Sequence, residues 1–345
     1  MRQQVQGRFP PLRMALTVTF LCGLSSCSPG ARESEPRIDH PPPESRFVNA
    51  NGMTLEVLDW GGEGPNLVLI HGAGTSPHYF DGLAPALTET FRVVSFARRG
   101  HGRSTTPSTA FDVDVLAEDL RQVMDSLQMS RASLLGHSFG GGEITRFAAL
   151  YPDRVQALVY LDAHYERFES PWADADDGRP VVICAERESL DEFRSCVRTY
   201  NLPGLEWTAG WEALIRDMVV QEPGGRIRSR IDTATVSASM PAINFDYRRE
   251  YELVEAPVLV LMAETFYPEQ TSDGDWNRAA REWHRAKFFP ARDWTMARFR
   301  EAIPDVEIEI LPGTAHFNII AQDPGRLLNE LFTFLSRAVN EQPGR

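Results

Sequence analysis

Basic residues are scarce in this chain of 345 residues. It has 35 Lys and Arg against 48 Asp and Glu, and its formal net charge is −13. A surface that binds nucleic acid or anionic lipid head groups needs clustered Lys and Arg, which this balance does not favour. We therefore expect no nucleic-acid partner.

Metal-binding and nucleotide-binding patterns are also lacking. The 8 His and 4 Cys are scattered, without H-x-x-x-H or paired Cys/His spacing. No glycine-rich phosphate loop and no internal repeat occurs. We therefore expect no metal and no cofactor.

The first 27 residues resemble an export signal rather than part of a fold. Residues 1–13 hold three arginines and no acidic residue, and residues 14–24 (MALTVTFLCGL) are apolar but too few to span a membrane as a stable helix. The segment ends in LSSC (24–27), which resembles the bacterial lipobox, in which the cysteine is lipidated and becomes the mature N-terminus. We expect a lipid on Cys27 and an envelope location, with the outer membrane or cell surface favoured. The alternative is an ordinary cleaved signal and a periplasmic or secreted protein.

Residues 28–45 are polar and rich in proline, so they are predicted to form a disordered tether. Export would leave Cys184 and Cys196 as the only thiols of the folded part. An oxidising compartment favours a disulfide between them, worth about 3 kcal/mol for a short loop. Two unpaired, partly buried thiols are the alternative.

Short apolar segments alternate with helical patterns in the rest of the chain. The helical patterns include 112–128 and 143–152. This alternation predicts an α/β fold with a mostly parallel, twisted sheet and helices on both faces. A ligand site is expected beyond the carboxyl ends of the strands. The predicted strands are 53–60, 66–72, 91–97, 132–138, 155–163, 256–264 and 306–313.

The segment LLGHSFGG (134–141) carries the strongest catalytic signal. It places G-x-S-x-G between a predicted strand and a predicted helix, the context in which a serine occupies a strained turn and projects its hydroxyl above a sheet. Gly136 and Gly140 suit a turn where neighbouring backbones leave no room for a Cβ. Ser138 is therefore the candidate nucleophile, and His137 is interpreted as a residue that packs the turn.

Two further strand ends carry polar residues. His71-Gly72-Ala73-Gly74 follows one predicted strand, and His316 follows the last one. Together with FARRGHGRS (96–104), these segments resemble the α/β-hydrolase superfamily over about 46–163 and 256–340. The order of nucleophile, acid and histidine also agrees.

The resemblance implies a Ser–His–acid triad that performs acyl transfer. Ser138 would attack a carbonyl, and His316 would take the serine proton and return it to the leaving group. The backbone N–H groups of Ala73 and Phe139 would bind the oxyanion, and His71 would support that loop.

The acid of this triad has several candidates. Many relatives have an aspartate where this chain has Phe266, after the strand 256–264. Asp162, at the end of the preceding strand, is the preferred replacement, because some branches such as haloalkane dehalogenases carry their acid there. Glu264 is the alternative acid, and the loop residues Asp273 and Asp275 are less favoured.

Residues 164–255 interrupt the strand–helix alternation at the position of a lid. Tyr165, Phe168 and Met240 are predicted to line the substrate pocket. The amphipathic helix 206–219 contributes tryptophans that either line the pocket or pack the lid on the core.

A serine nucleophile favours carboxylic esters and related acyl compounds as small-molecule substrates. A cofactor-free haloperoxidase and a carbon–carbon bond hydrolase would use the same residues. A non-catalytic binding protein of this fold is the alternative from another class.

Overall fold

A computed structural model describes residues 41–163, 170–171, 184, 188–231, 233–245, 247–269 and 274–341. These residues belong to one unit, Pro36–Arg345. The predicted signal peptide, Cys27 and most of the predicted tether lie outside the described residues.

An eight-stranded sheet with the order β1-β2-β4-β3-β5-β6-β9-β10 forms the centre of the molecule. The pairs β1–β2 and β2–β4 are antiparallel, and every other pair is parallel. A separate antiparallel pair, β7–β8, lies between β6 and β9 in the chain. The strands are β1 Glu44–Ala50, β2 Met53–Gly61, β3 Asn66–Ile70, β4 Arg92–Phe96, β5 Ala132–His137, β6 Val155–Leu161, β7 Val219–Gln221, β8 Ile227–Ser229, β9 Val258–Thr265 and β10 Glu307–Ala315.

The central strands are apolar on both faces because each face is covered by a separate hydrophobic cluster. In β3, Leu67 and Leu69 contribute to one cluster, whereas Val68 and Ile70 contribute to the other. This two-residue alternation is the expected geometry of a strand buried on both sides. The continuous runs of Val, Ile and Leu in the sequence follow from it.

Ten α-helices surround the sheet within the described ranges. The helix α2 begins after Asp112, whose side chain accepts a hydrogen bond from the backbone N–H of Val115, as an N-cap residue does. The helices are α1 Ala84–Leu87, α2 Val113–Ser126, α3 Gly140–Leu150, α4 Leu190–Tyr200, α5 Ala209–Met218, α6 Thr233–Met240, α7 Asp275–Trp283, α8 Phe289–Ala302, α9 Ile319–Gln322 and α10 Pro324–Asn340. Short 3-10 segments cover Pro77–Phe80, Pro152–Arg154 and Tyr251–Leu253, and π-helical turns cover Pro241–Phe245 and His284–Phe288.

The helices α4 and α5 pack on one of the two core clusters. Phe193 and Val197 of α4 and Trp211 of α5 belong to the same buried cluster as the sheet residues Leu67 and Leu69. A disulfide joins Cys196 of α4 to Cys184. Within the described part of the chain, no helix combines the length and apolar character that crossing a membrane requires.

The predicted α/β fold with a mostly parallel sheet is confirmed. One strand was not anticipated: β1 begins at Glu44, two residues before the predicted start of the core at residue 46. Pairing with β2 holds this segment, and the Arg46 guanidinium bonds the Asp59 carboxylate at 2.6 Å.

Candidate active site

Three strand ends at one edge of the sheet carry the candidate catalytic side chains; β5 and β6 are adjacent, and β9 lies between β6 and β10. Ser138 follows β5, Asp162 follows β6 and His316 follows β10. The backbone N–H of Ser138 donates to the carbonyl of Leu161 at 3.2 Å, and that of Asp162 donates to Leu261 at 2.7 Å. The parallel pairing therefore continues to these residues and sets them at one edge of the sheet.

Ser138 and Asp162 both have backbone conformations that L-residues rarely adopt. The φ angle is 55° for Ser138 and 44° for Asp162. Non-glycine residues with positive φ concentrate at functional sites, where the surrounding structure holds the strain. At the serine turn, a Cβ on Gly136 would lie 2.6 Å from the carbonyl oxygen of Gly140, so the tight turn excludes any side chain there.

Asp162 and His316 are joined by a short hydrogen bond. The Oδ2 atom of Asp162 lies 2.7 Å from Nδ1 of His316, and its Oδ1 accepts from the backbone N–H of Ala263 at 2.8 Å. Asp162 is fully buried and His316 is 4% exposed. Because both carboxylate oxygens accept N–H donors, the carboxylate orientation is fixed and the ring is held by its Nδ1 edge.

The two other acid candidates that the structure describes, Glu264 and Asp275, bond other groups. Glu264 is exposed, and its Oε2 accepts from the backbone N–H of Gly313 at 2.7 Å. Asp275 starts α7 and forms an exposed ion pair with Arg278. Asp273 lies outside the described residues. Of the three carboxylates that the structure describes, it therefore brings Asp162 to His316.

Phe266 occupies the position where an aspartate was expected, and it contacts the histidine in another way. Its ring stacks on the His316 ring at 4.7 Å with an interplanar angle of 9°. The ring of His137 stacks at 4.8 Å, and Tyr79 in turn stacks on His137 at 4.4 Å. Phe266 thus restricts His316 through its ring face, a role that the sequence analysis missed.

His137 is uncharged in this stack. Burial foremost, and then the neighbouring His316, lower its pKa to about 3. With a proton on Nε2, His137 donates to the carbonyl oxygen of His316 at 3.1 Å. The residue before the serine therefore holds the backbone of His316, in agreement with the interpretation of His137 as a packing residue.

Two backbone N–H groups are available near Ser138. Within the described residues, the hydrogen bonds leave those of Ala73 and Phe139 without an acceptor. Phe139 immediately precedes α3, whose N-terminal end favours negative charge. This pair of donors has the chemistry that a developing oxyanion needs.

Arg98 clamps the loop that carries Ala73. Its Nη2 donates to the carbonyl of His71 at 2.8 Å, and its guanidinium lies 4.8 Å from the ring centroid of Phe139. Its own backbone N–H donates to Nε2 of His71 at 3.2 Å. Burial foremost keeps the pKa of His71 well below its ordinary value, so Nε2 can act as an acceptor.

Glu143 of α3 completes this arrangement. Its Oε2 accepts from Nε of Arg98 at 3.0 Å, and both side chains are almost wholly buried. Burial raises the pKa of the Glu143 carboxyl, while the charge of Arg98 opposes that rise. The sequence analysis singled out neither residue. The available signal was a glutamate in the first turn of the helix after Ser138 and an arginine directly after an apolar strand.

The predicted pocket residues are only partly described. Tyr165 and Phe168 lie outside the described residues. Met240, the last residue of α6, packs against the cluster that contains Phe139, and Ala73 packs against the same cluster. Within the described ranges, no three His, Cys, Asp or Glu side chains converge in a way suited to a metal ion.

Comparison with known proteins agrees with this architecture. Residues 65–180 match the family model described as alpha/beta hydrolase fold. The crystal structure of E-2-(acetamidomethylene)succinate hydrolase aligns with a TM-score of 0.64 at 21% identity, over 85% of this chain and 99% of that one. A carboxylesterase from Bacillus subtilis aligns with a TM-score of 0.59 at 19% identity, over 85% of this chain and 91% of that one.

Two curated relatives are similar in sequence. A 2-(acetamidomethylene)succinate hydrolase of Mesorhizobium japonicum is 26% identical over 79% of this chain and 88% of its own length. A non-heme chloroperoxidase of Streptomyces lividans is 37% identical over 44% of this chain and 53% of its own length.

These findings identify the chain as a protein of the α/β-hydrolase fold. One of the two curated relatives is a hydrolase by name, which supports, more particularly, a hydrolase built on that fold.

Proposed function

We propose that this protein is a serine hydrolase that cleaves a carboxylic ester or a related acyl bond through an acyl-enzyme. The observation that carries the proposal is the 2.7 Å bond between Asp162 and His316, one strand away from a serine with positive φ. A carboxylate that holds a histidine, with a strained serine at the end of the adjoining strand, suits a Ser–His–acid triad.

In the first half of the reaction, the Ser138 hydroxyl oxygen attacks the substrate carbonyl. Because Nδ1 of His316 is engaged by Asp162, Nε2 is the ring atom that accepts the serine proton. The carboxylate of Asp162 and the π face of Phe266 stabilise the imidazolium that results. His137 stays neutral beside it, which avoids a second positive charge in the stack.

The tetrahedral intermediate then collapses to the acyl-enzyme. The backbone N–H groups of Ala73 and Phe139 hold its oxyanion, and removal of one such donor in other enzymes costs about 3 kcal/mol. His316 returns the proton to the leaving group as the carbon–oxygen bond breaks. In the second half, a water molecule repeats the attack with His316 as base, and the acid product leaves Ser138.

One relative favours a second candidate. The similarity to a non-heme chloroperoxidase makes a cofactor-free haloperoxidase the alternative activity on the same residues. An assay of halide-dependent and peroxide-dependent bromination beside ester hydrolysis separates the two activities. Bromination that far exceeds ester turnover would favour the alternative.

The test of the serine mechanism is labelling with a fluorophosphonate, in which a serine oxygen displaces fluoride from phosphorus. We expect one label per folded protein, on the peptide that contains Ser138, and none on Ser138→Ala. Folded wild-type protein that takes no label, or takes it at another residue, would contradict the proposal. The absence of any label on the folded protein would favour a non-catalytic binding protein.

We also propose that the protein is exported and anchored to the cell envelope by a lipid on Cys27. The apolar segment before LSSC (24–27) supports this, and a disulfide such as Cys184–Cys196 suits an oxidising compartment. We expect palmitate labelling and detergent-dependent extraction of the wild type, and neither for Cys27→Ser. Recovery of unlabelled wild-type protein in the aqueous phase would rule out the anchor.

A further inference from the structure

A cavity of about 200 Å³ lies between the loop of Ala73 and the helices α4 and α5. On the side of the sheet it is lined by Ala73, Gly74 and Phe317, and on the side of the helices by Trp211 and Leu214. Ala73 carries a proposed oxyanion donor, and Phe317 follows the proposed base. The cavity therefore adjoins the proposed site of acyl transfer.

Ring contacts connect this cavity to the catalytic histidine. Phe317 meets the His316 ring edge-to-face at 4.9 Å. On the opposite wall, Trp211 meets Tyr79 edge-to-face at 6.1 Å, and Tyr79 stacks on His137 next to Ser138. The walls are thus continuous with the packing that holds the histidine.

The described part of the lining is mostly apolar and carries no charged side chain. Among the described residues that line the cavity, none is Asp, Glu, Lys, Arg or His. Thr75 is one of the few polar members, and its hydroxyl already donates to the carbonyl of Gly72 at 3.0 Å. A carboxylate placed here would lose its hydration without gaining a cation from these residues.

Trp211 and Tyr79 also line a second cavity. It has a volume of about 220 Å³, and its walls include the apolar Leu205 and Ile320 as well as His78 and Glu206. Because both cavities share the two aromatic residues, these side chains form the partition between them. Trp211 is anchored in that position, since α5 starts at the Thr208 N-cap and the indole is 8% exposed.

We propose that the 200 Å³ cavity binds an uncharged, apolar group of the substrate and that Trp211 sets the greatest length of that group. The inference rests on the proposed serine hydrolase. An engineered cavity of about 150 Å³ in another protein binds benzene, so this cavity suits a group of roughly six to eight carbons. The succinate in the name of one relative is a dicarboxylate, which this lining does not match.

The experiment measures kcat/KM for p-nitrophenyl esters with acyl chains of two to twelve carbons, and for alkyl acetates of the same range. For the wild type, we expect kcat/KM to rise about fourfold with each added methylene until the cavity is filled. For longer chains, kcat/KM should fall. Trp211→Ala should open the second cavity to longer chains, so that kcat/KM keeps rising beyond the length at which the wild type declines. The ratio of kcat/KM for the twelve-carbon ester to that for the six-carbon ester should increase at least about tenfold. Trp211→Leu provides a milder second variant if the alanine variant does not fold.

The matched control is Trp207→Ala. Trp207 lies just before α5, and its indole N–H donates to Glu212 at 3.1 Å, but it lines neither cavity. Its substitution should leave the dependence of kcat/KM on chain length (the length profile) as it is in the wild type. An ester of the same length with a terminal carboxylate should react at least about 100-fold more slowly than the neutral ester, because its charge would be buried without a partner.

Binding separates this inference from the proposed function. Calorimetric titration of Ser138→Ala with intact esters gives the length profile without turnover. An unchanged profile in folded Trp211→Ala and Trp211→Leu, in both ester series and in binding, would overturn the role of Trp211. A wild-type preference for the carboxylate ester would overturn the apolar assignment. Length-dependent binding without turnover would instead contradict the proposed reaction and leave this inference standing.

Discussion

Replacement of Asp162 by asparagine should lower kcat by up to about 10⁴-fold, as the corresponding change does in a well-studied serine protease. The reason lies in the two contacts of the carboxylate. An asparagine would keep its Oδ1 on the backbone N–H of Ala263 and would therefore turn its NH₂ group towards Nδ1 of His316. The ring proton would move to Nε2, and a protonated Nε2 cannot accept the proton of Ser138.

The control for this prediction is Glu264→Gln. Glu264 is exposed and bonds Gly313 rather than the histidine, so the variant should retain kcat within about threefold, as a surface substitution does. Both variants are compared on a chromogenic ester after circular dichroism has established that they are folded. A near-wild-type kcat for Asp162→Asn together with a strongly lowered kcat for Glu264→Gln would contradict the assignment of the acid.

Replacement of Arg98 by methionine should lower the free energy of unfolding by about 3–5 kcal/mol. Arg98 and Glu143 form an ion pair in which both side chains are almost fully buried. Removal of the cation leaves the carboxylate of Glu143 without a counter-charge, and this penalty exceeds the loss of packing. Urea denaturation at pH 7 measures the change.

A double variant separates stability from catalysis. Arg98→Met combined with Glu143→Leu removes both charges, so most of the lost stability should return. The carbonyl of His71 would still lack its donor, and we expect kcat to stay about 10-fold to 100-fold below the wild type, less than the loss of an oxyanion donor itself. Full recovery of kcat would show that Arg98 has no role in positioning the loop.

Arg99 is the matched control for this pair of variants. It is the next residue, it is also buried, and its Nε bonds the Asp119 carboxylate at 2.6 Å. Its guanidinium bonds Asp119, whereas that of Arg98 bonds the carbonyls of His71 and Gly72. Arg99→Met should therefore cost a similar free energy of unfolding while kcat per folded molecule stays near that of the wild type.

The fold could be predicted from the sequence because its signals are local. Strands β3, β5, β6 and β9 are covered on both faces, so their residues are mostly apolar without alternation. In the helices between them, apolar residues recur with the 3.6-residue period of a helix. The edge strand β1 was missed because its residues alternate between exposed and partly buried positions, and only its pairing with β2 makes it a strand.

The sequence by itself determined the positions of Ser138 and His316 as candidates, because each follows a strand within a short, recognisable segment. The tertiary structure decided which carboxylate meets the histidine, since Asp162 and His316 are 154 residues apart. It also decided the pairing of Arg98 with Glu143 and the stacking of Phe266 on His316. These contacts depend on the order of strands in the sheet and on the direction in which each side chain leaves its strand end. No single segment of the sequence specifies the strand order or these directions. The side chains that contact one another are therefore decided only when the strands assemble into the sheet.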